Sequence, residues 1–358
     1  VAVRPEELGA AVPVSFVRDI KFFTKPLLAI ESSCDETSAA VLVGREIRSN
    51  VIASQIELHA KWGGVVPEAA SRAHVEAIIP MVREALDSAG VALSEIGGIA
   101  ITNRPGLVGA LSVGVTSAKA LAMSLCIPFL GVHHLEGHLC SIFAEHEDFP
   151  TEHVALVVSG GHTELVHVQA PGQYRLIGAT IDDAAGEAFD KGARLLGLGY
   201  PGGLAIQQAA KAGNPKRYKL PVGLRGDTTD FSFSGLKTAM LRLTEVEGDQ
   251  INIADAAASL QEAIVSVLVK RTFLAIDETG VRALSLVGGV AANVALRERL
   301  SEEARKRGIA FAVPAFSLCT DNAAMIGLAG SWRLERGERS DFSLDALPNA
   351  DIWDANPV

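Results

Sequence analysis

A chain of 358 residues is long for one hydrophobic core and comfortable for two, so two domains or lobes of similar size are expected. Hydrophobic residues make up 48% of it, ample for burial, and no apolar run reads as long enough to span a bilayer. Four scattered cysteines (Cys34, Cys126, Cys140, Cys319) without a C-x-x-C pair argue against a zinc ribbon or disulfide scaffold and fit a reducing, cytoplasmic setting, while the net charge of −10 discourages, without excluding, a nucleic-acid partner.

Residues 1–26 show no signal-like apolar core followed by a small-residue cleavage site, and are expected to be an N-terminal extension outside the fold. From Leu27, L-L-A-I-E, then S-S-C-D-E-T-S, then A-A-V-L-V read as a strand, a small polar tip and a return strand, with a third strand from Ile47 to Ala53. Pro67 stands where a proline belongs, in the first turn of a long helix running to about Ser88. Gly97 to Thr102 is a buried strand, Asn103 to Gly109 breaks the pattern, and Ala110 to Leu125 is a helix. The apolar run Ile127 to Val132 is a further buried strand, and ligands in open α/β sheets collect just beyond the carboxyl ends of such strands.

That strand delivers G-V-H-H-L-E-G-H-L-C, Gly131 to Cys140. At a spacing of four, His134 and His138 project from one face of a helix, where two neutral imidazoles can share a transition-metal ion. Such an ion wants at least one hard, charged ligand as well. Asp321, in C-T-D-N-A-A-M at the head of an apolar C-terminal helix, is the candidate, its alternative role being a helix cap. Two histidines and one carboxylate suit ferrous iron or zinc, and the residues themselves do not choose. A zinc-protease helix needs glutamate directly after its first histidine; here Glu136 comes two after His134, roughly opposite the metal face, so a protease fits poorly.

Past a polar linker at Glu145 to Glu152 the pattern restarts. Val154 to Val158 is a strand, Ser159-Gly160-Gly161-His162-Thr163 a small polar tip, Glu164 to Gln169 the return, and Tyr174 to Ala179 a third strand. A tip of Gly, Ser and Thr leaves backbone N–H groups free to point at an anion, and two such tips facing each other could grip a phosphate chain. Later, the strand Ala283 to Val287 enters the glycine turn Gly288 to Asn293, where backbone can approach a flat ligand. Positive charge gathers in two places: Lys211, Lys216, Arg217, Lys219 and Arg225 in a proline-bearing stretch, and Arg297, Arg299, Arg305, Lys306 and Arg307 on a later helix. Either is a solvated face or a phosphate-binding one.

The repeated β-β-β-α-β-α plan resembles the α/β superfamily of actin, the sugar kinases and the heat-shock chaperones (ASKHA), in which two lobes of duplicated topology close on a central nucleotide cleft. The resemblance puts a carboxylate, here Asp35 or Glu36, on the first tip and the adenosine side at Gly288 to Asn293. The expected units are an N-terminal lobe over 27–150, a C-terminal lobe over 151–340 with an insert at 213–235, and a tail at 341–358.

Together A-I-E-S-S-C-D-E-T, G-G-V-V-P-E-A-A-S-R-A-H, G-V-H-H-L-E-G-H, V-S-G-G-H-T, D-D-A-A-G-E-A-F-D-K, Y-P-G-G, D-F-S-F-S-G-L-K-T and G-G-V-A-A-N resemble the TsaD family, the bacterial branch of the Kae-type tRNA N6-adenosine threonylcarbamoyltransferases. The match runs in order from about Leu27 to Arg336, with small departures at Ala69 and Arg104. It implies transfer of a threonylcarbamoyl group from its adenylate, threonylcarbamoyl-AMP, to N6 of adenosine 37 in tRNAs reading codons that begin with A. It also implies metal ligands His134, His138 and Asp321, and adenylate-binding positions Val157, Val158, Ser159, Gly160, Gly161, Asp190, Gly203 and Asn293. One divalent metal per subunit is expected, ferrous iron preferred and zinc the alternative, in a cleft that ATP or ADP can also occupy. The implied partners are tRNA, a TsaB-type paralogue meeting the first-lobe helices Pro67 to Ser88 and Ala110 to Leu125, and a TsaE-type ATPase; a homodimer is the alternative assembly, and no membrane is involved. Asp35 and Glu36 are the catalytic candidates, to orient the reaction or accept the amine proton, with His162 as an alternative proton carrier. The rivals are a small-molecule kinase of the same fold, which needs no histidine pair, and a non-catalytic nucleotide-dependent scaffold.

Overall fold

The structure is a computed structural model that describes residues 14–62, 64–224 and 226–352. Its first sheet is built from β1 (Leu27–Glu31), β2 (Glu36–Val43) and β3 (Glu46–Ser54), followed by α1 (Ile56–Ala60), α2 (Pro67–Ala89), β4 (Gly98–Arg104), α3 (Val108–Leu125), β5 (Phe129–His133) and α4 (His134–Cys140). The second sheet begins with β6 (His153–Val158), β7 (Thr163–Ala170) and β8 (Gln173–Ala179). After these come α5 (Ala185–Leu195), α6 (Gly202–Ala210), α7 (Ser234–Glu247), α8 (Ile253–Thr279), β9 (Ala283–Val287), α9 (Val294–Arg307), β10 (Ala310–Ala312) and α10 (Ala323–Glu335). The strand orders are β3-β2-β1-β4-β5 and β10-β9-β6-β7-β8, the same topology twice. In each, the first strand is central, antiparallel to the second and parallel to the fourth.

The central strands read as unbroken apolar runs because both of their faces are covered. Along β1, Leu28 and Ile30 point outward to α2 and α3, while Leu27 and Ala29 point inward. Along β6, Val154, Leu156 and Val158 point outward to α5 and α8, and Ala155 and Val157 point inward. The two inward faces share one filling, α4 and α10, so the layers run helix, sheet, helix, sheet, helix. Met325, Ile326 and Leu328 of α10 are fully buried there, each worth about 1.5–3 kcal/mol. Gly327 lets α10 lie close on the first sheet, since a Cβ there would fall 2.2 Å from Leu42 Cδ1.

This layering changes three expectations. The last helix, assigned by sequence order to the C-terminal lobe, packs on β1, β2, β4 and β5 of the first sheet. Residues 14–26, expected outside the fold, belong to it: Val17 is buried, its N–H donates to Phe149 O at 3.0 Å, and Phe23 N–H donates to the carbonyl oxygen of Ser331 at 3.1 Å. Their aromatic and apolar contacts lack the periodicity that marks an element, and residues 1–13 lie outside the described ones. Finally, α3 is long and apolar enough to cross a membrane by length and composition, contrary to the reading of the sequence. Its stripe of Ala110, Leu111, Gly114, Val115, Ala118 and Ala122 is buried, as in a core helix.

Two long connections are also pinned. The buried guanidinium of Arg271 on α8 donates to the carbonyls of Leu224, Gly226 and Thr228, which fixes the 213–235 insert. The C-terminal tail crosses the carboxyl ends of β4 and β5, where Leu347 N–H donates to Asn103 O at 2.9 Å and Ala350 O lies 2.9 Å from His133 Nε2.

Candidate active site

The turn from β5 into α4 is made by three histidine roles in a row. His133 Nδ1 accepts from the Leu135 N–H at 3.1 Å and caps the helix. Burial, aided by Arg104 and His134 nearby, pushes its pKa down to about 3, so it stays neutral and able to accept. His134 and His138 then lie one turn apart, with ring centroids 4.8 Å apart and planes nearly perpendicular. Both are buried, and their Nε2 atoms face one oxygen, Asp321 Oδ1, at 3.4 and 3.2 Å. The helix cap that competed for Asp321 falls to Asn322, whose Oδ1 accepts from Met325 N–H at 3.0 Å. Asp321 is thus free to face the histidines, its side chain 23% exposed on the open side of the group. Glu136 turns the other way, as expected: it accepts from Tyr174 Oη at 3.0 Å and from Arg333 at 2.9 Å.

Glu31, which the sequence quoted but did not single out, ends β1 inside this centre. Its Oε2 lies 3.2 Å from His134 Nδ1 and accepts from Thr102 Oγ1 at 2.5 Å, and its Oε1 accepts from Ser33 N–H at 2.5 Å. A carboxylate closing an otherwise apolar, fully buried strand was the signal available. Burial opposes charge on every member of the group, but the mutual field wins for most. Asp321 and Glu31 hold His134 well above the ordinary imidazole range, and His134 in turn holds Asp321 well below the carboxylate range and Glu31 below it. For His138 burial prevails, and its pKa is lowered.

The first tip is tightly held. Ser33 O accepts from Leu107 N–H at 2.8 Å, and a Cβ on Gly106 would fall 2.5 Å from the same oxygen, so glycine is what lets that loop close on the tip. Asp35 and Glu36 are half-buried, and Glu36 is pushed up to about 9 by burial and then by Asp35 and Asp321. Glu36 therefore keeps its proton at neutral pH. The second tip is different: Gly160 and Gly161 are exposed, with open space where side chains would be. Its base is fixed by Ser159 N–H to His162 O at 2.8 Å. His162 is driven down to about 4 by burial and by the His134 and His138 imidazoles, which brings this tip into the field of the histidine pair.

The remaining candidates divide. Asp190 accepts from Gly202 N–H at 2.8 Å and is raised by burial, with Asp35 among the charges it feels. Gly203 lies in the first turn of α6 with free space around it. Val157 and Val158 are fully buried, so only their backbone can face a ligand. Asn293 caps α9 through Leu296 N–H at 3.0 Å and donates to Gln261 Oε1 at 3.0 Å, so its side chain is already engaged. Gly288 presses on β6 with φ +93°, where a Cβ would fall 2.4 Å from Val158 O. A surface hollow of about 440 Å³ beside Arg45, Asn50 and Ser317 includes none of these groups.

The donor set fits a divalent cation. One atom from each of His134, His138 and Asp321 lies within 4.8 Å of the others. Ligands on a common ion at about 2.0–2.2 Å stand about 3.0–3.6 Å apart, the spacing seen to Asp321. His138 meets the site through Nε2, while its Nδ1 is buried without a partner among the described residues.

Twin sheets around a shared helical layer, with the first tip touching His134 through Ser33 Oγ at 3.2 Å and the second in the field of the histidine pair, define a two-lobed protein of the ASKHA type. The T. kodakarensis HypF structure shares that fold, with a TM-score of 0.60 at 14% identity over 91% of this chain and 49% of that one. The sequence model of TsaD, described as tRNA N6-adenosine threonylcarbamoyltransferase, matches residues 46–328. Proteins of that name from Clostridium perfringens and Syntrophotalea carbinolica are each 53% identical over 330 residues, covering 91% and 90% of this chain and 97% and 96% of theirs. The chain belongs to the TsaD family of tRNA N6-adenosine threonylcarbamoyltransferases.

Proposed function

We propose that this acyltransferase takes the threonylcarbamoyl group from threonylcarbamoyl-AMP and places it on N6 of adenosine 37 in tRNAs reading codons that begin with A. The observation that carries the chemistry is the convergence of His134, His138 and Asp321 beside the two hairpin tips. Those three hold the cation, with ferrous iron the preferred ion and zinc the alternative; when bound, it supplies Lewis-acid polarisation of the carbamoyl carbonyl. The exposed Gly160–Gly161 backbone receives the phosphate of the departing AMP, where N–H groups neutralise its charge. Ser159, Asp190 and Gly203 line the adenylate side, while Val157, Val158 and Asn293 shape it through the backbone and the capped turn.

On the opposite tip Asp35 accepts the proton of the attacking amine. Glu36, held neutral to about pH 9, donates to Asp35 and orients it. His162, neutral at physiological pH, is the alternative carrier of this proton.

The two basic clusters no longer rank equally as tRNA contacts. On α9, Arg299 pairs with Glu262, Lys306 with Glu302, and Arg307 with Asp277 and Glu303. Lys211, Lys216, Arg217 and Lys219 are exposed and form no ion pair among the described residues, so the insert is the better phosphate-binding face. Exposed Val75 and Ile79 on α2 and Val108 and Met123 on α3 support a helix-to-helix contact with a TsaB-type paralogue, and a homodimer is what this face would form alone. A TsaE-type ATPase completes the set, and the cytoplasm is the compartment. The test is incubation with threonylcarbamoyl-AMP, tRNA and these partners, followed by nucleoside analysis of the hydrolysed RNA. The modified adenosine is expected; phosphorylation of a small molecule without it would favour the kinase alternative.

A further inference from the structure

We propose that Glu31 is a positioning residue for the metal centre, one that fixes which nitrogen of His134 meets the cation. The inference rests on reading His134, His138 and Asp321 as the cation's ligands. Three donors converge on the two oxygens of Glu31: Ser33 N–H on Oε1, and Thr102 Oγ1 and His134 Nδ1 on Oε2, at 2.5, 2.5 and 3.2 Å. The side chain is fully buried, so no water substitutes for any of them. Only an ionised carboxylate offers acceptors on both sides and no hydrogen of its own. The Ser33 hydroxyl also lies 3.2 Å from His134 Nδ1 and its oxygen can accept, so beside an ionised Glu31 an Nδ1–H satisfies both neighbours and leaves Nε2, which faces Asp321 Oδ1 and His138, for the cation.

The two imidazoles are not equivalent. His138 presents Nε2 in the same way, yet its Nδ1 has no partner among the described residues. Glu31 thus orients one ligand of the pair and leaves the other to packing alone. It also ties the centre to the first tip, because the same carboxylate holds Ser33, two residues before Asp35. A carboxylate behind a metal-bound histidine fixes its ring and raises its basicity, and its loss costs about 10–100-fold in metal affinity.

The test compares zinc and ferrous iron dissociation constants, by chelator competition, for the parent chain, Glu31→Gln and Glu31→Ala. Glutamine matches the size but must aim its amide N–H₂ at one of the donors, so both variants are expected to bind about 10–100-fold more weakly. Glu31→Gln binding within threefold of the parent would overturn the proposal. A second measurement needs no variant: ring nitrogen-15 shifts of His134 in the zinc-loaded parent should show Nε2 ligated and Nδ1 protonated, and ligation through Nδ1 would equally overturn it. A parent chain that binds neither ion, with His138→Ala no different, would instead contradict the metal centre itself.

Discussion

The two hairpin tips occupy equivalent places in equivalent sheets and have been furnished in opposite ways. The first, Ser32 to Asp35, is clamped by Leu107, by Ala110 O and by Glu31, and leads into a carboxyl, Glu36, that keeps its proton at neutral pH. The second, Ser159 to His162, is also held from outside, Gly186 N–H donating to Ser159 O at 3.2 Å, but it presents bare glycine to the cleft. The same backbone geometry occurs twice, and its side chains load one tip with two carboxyls and leave the other bare, an arrangement that on the proposed function suits a proton acceptor and a phosphate respectively. Rigidity is what a proton acceptor needs to keep its reach, and openness is what a phosphate needs to approach backbone N–H groups.

The metal side of that division should show the largest effect. His138→Ala and Asp321→Ala are expected to lose the bound ion by elemental analysis and at least about 10²-fold in turnover. At the first tip, Asp35→Asn should cost about 10²–10⁴-fold in turnover with metal content unchanged, and Glu36→Gln markedly less, since glutamine resembles the neutral acid present at pH 7. Equal losses from the two would erase the distinction between acceptor and orienting partner.

Glu36 also leaves a signature in stability. Its folded pKa of about 9 lies above the unfolded value of 4.5, so between them the folded chain holds a proton that the unfolded chain releases. Stability contributed by that proton is present in full below about pH 4.5 and is lost as pH rises toward 9, by at most about 1.4 kcal/mol per unit. Urea midpoints from pH 5 to 8 should fall less steeply for Glu36→Gln than for the parent.

At the second tip, Gly160→Asp should leave folding stability within about 0.5 kcal/mol, because the added atoms meet open space. It should raise KM for the adenylate by about tenfold or more through repulsion of the phosphate. The smallest effect per residue is expected on the insert, where reversing Lys216, Arg217 and Lys219 should weaken tRNA binding and flatten its salt dependence. The same reversal at Lys306 and Arg307 should change tRNA binding less, since those charges are already matched by acids on the same surface.

The first sheet and four strands of the second were legible in the sequence because their central strands are almost wholly apolar and their tips are marked by Ser, Gly and Asp, whereas the three-residue edge strand β10 carries too little pattern to be read. The histidine pair was legible because helical spacing alone sets its geometry. Asp321 was the sequence's candidate for the third donor, but its choice over a helix cap needed the fold: nothing in C-T-D-N-A-A-M says that α10 crosses to the first sheet, and it is this crossing that carries the carboxylate to His138. Glu31 was hidden for a related reason. A glutamate at a strand end looks like a solvated turn residue until Thr102, Ser33 and His134 are seen around it. The packing of Val17 and Phe23 depends on long-range contacts that no local pattern announces.

The central claim is that one cation, held by His134, His138 and Asp321, makes the transfer possible. Rigorously metal-free protein, supplied with threonylcarbamoyl-AMP, tRNA and its partners, should be titrated with ferrous iron or zinc while modified adenosine is counted. Formation of the modified nucleoside rising in proportion to added ion and levelling at one per chain is the predicted result. Full activity before any ion is added would contradict it.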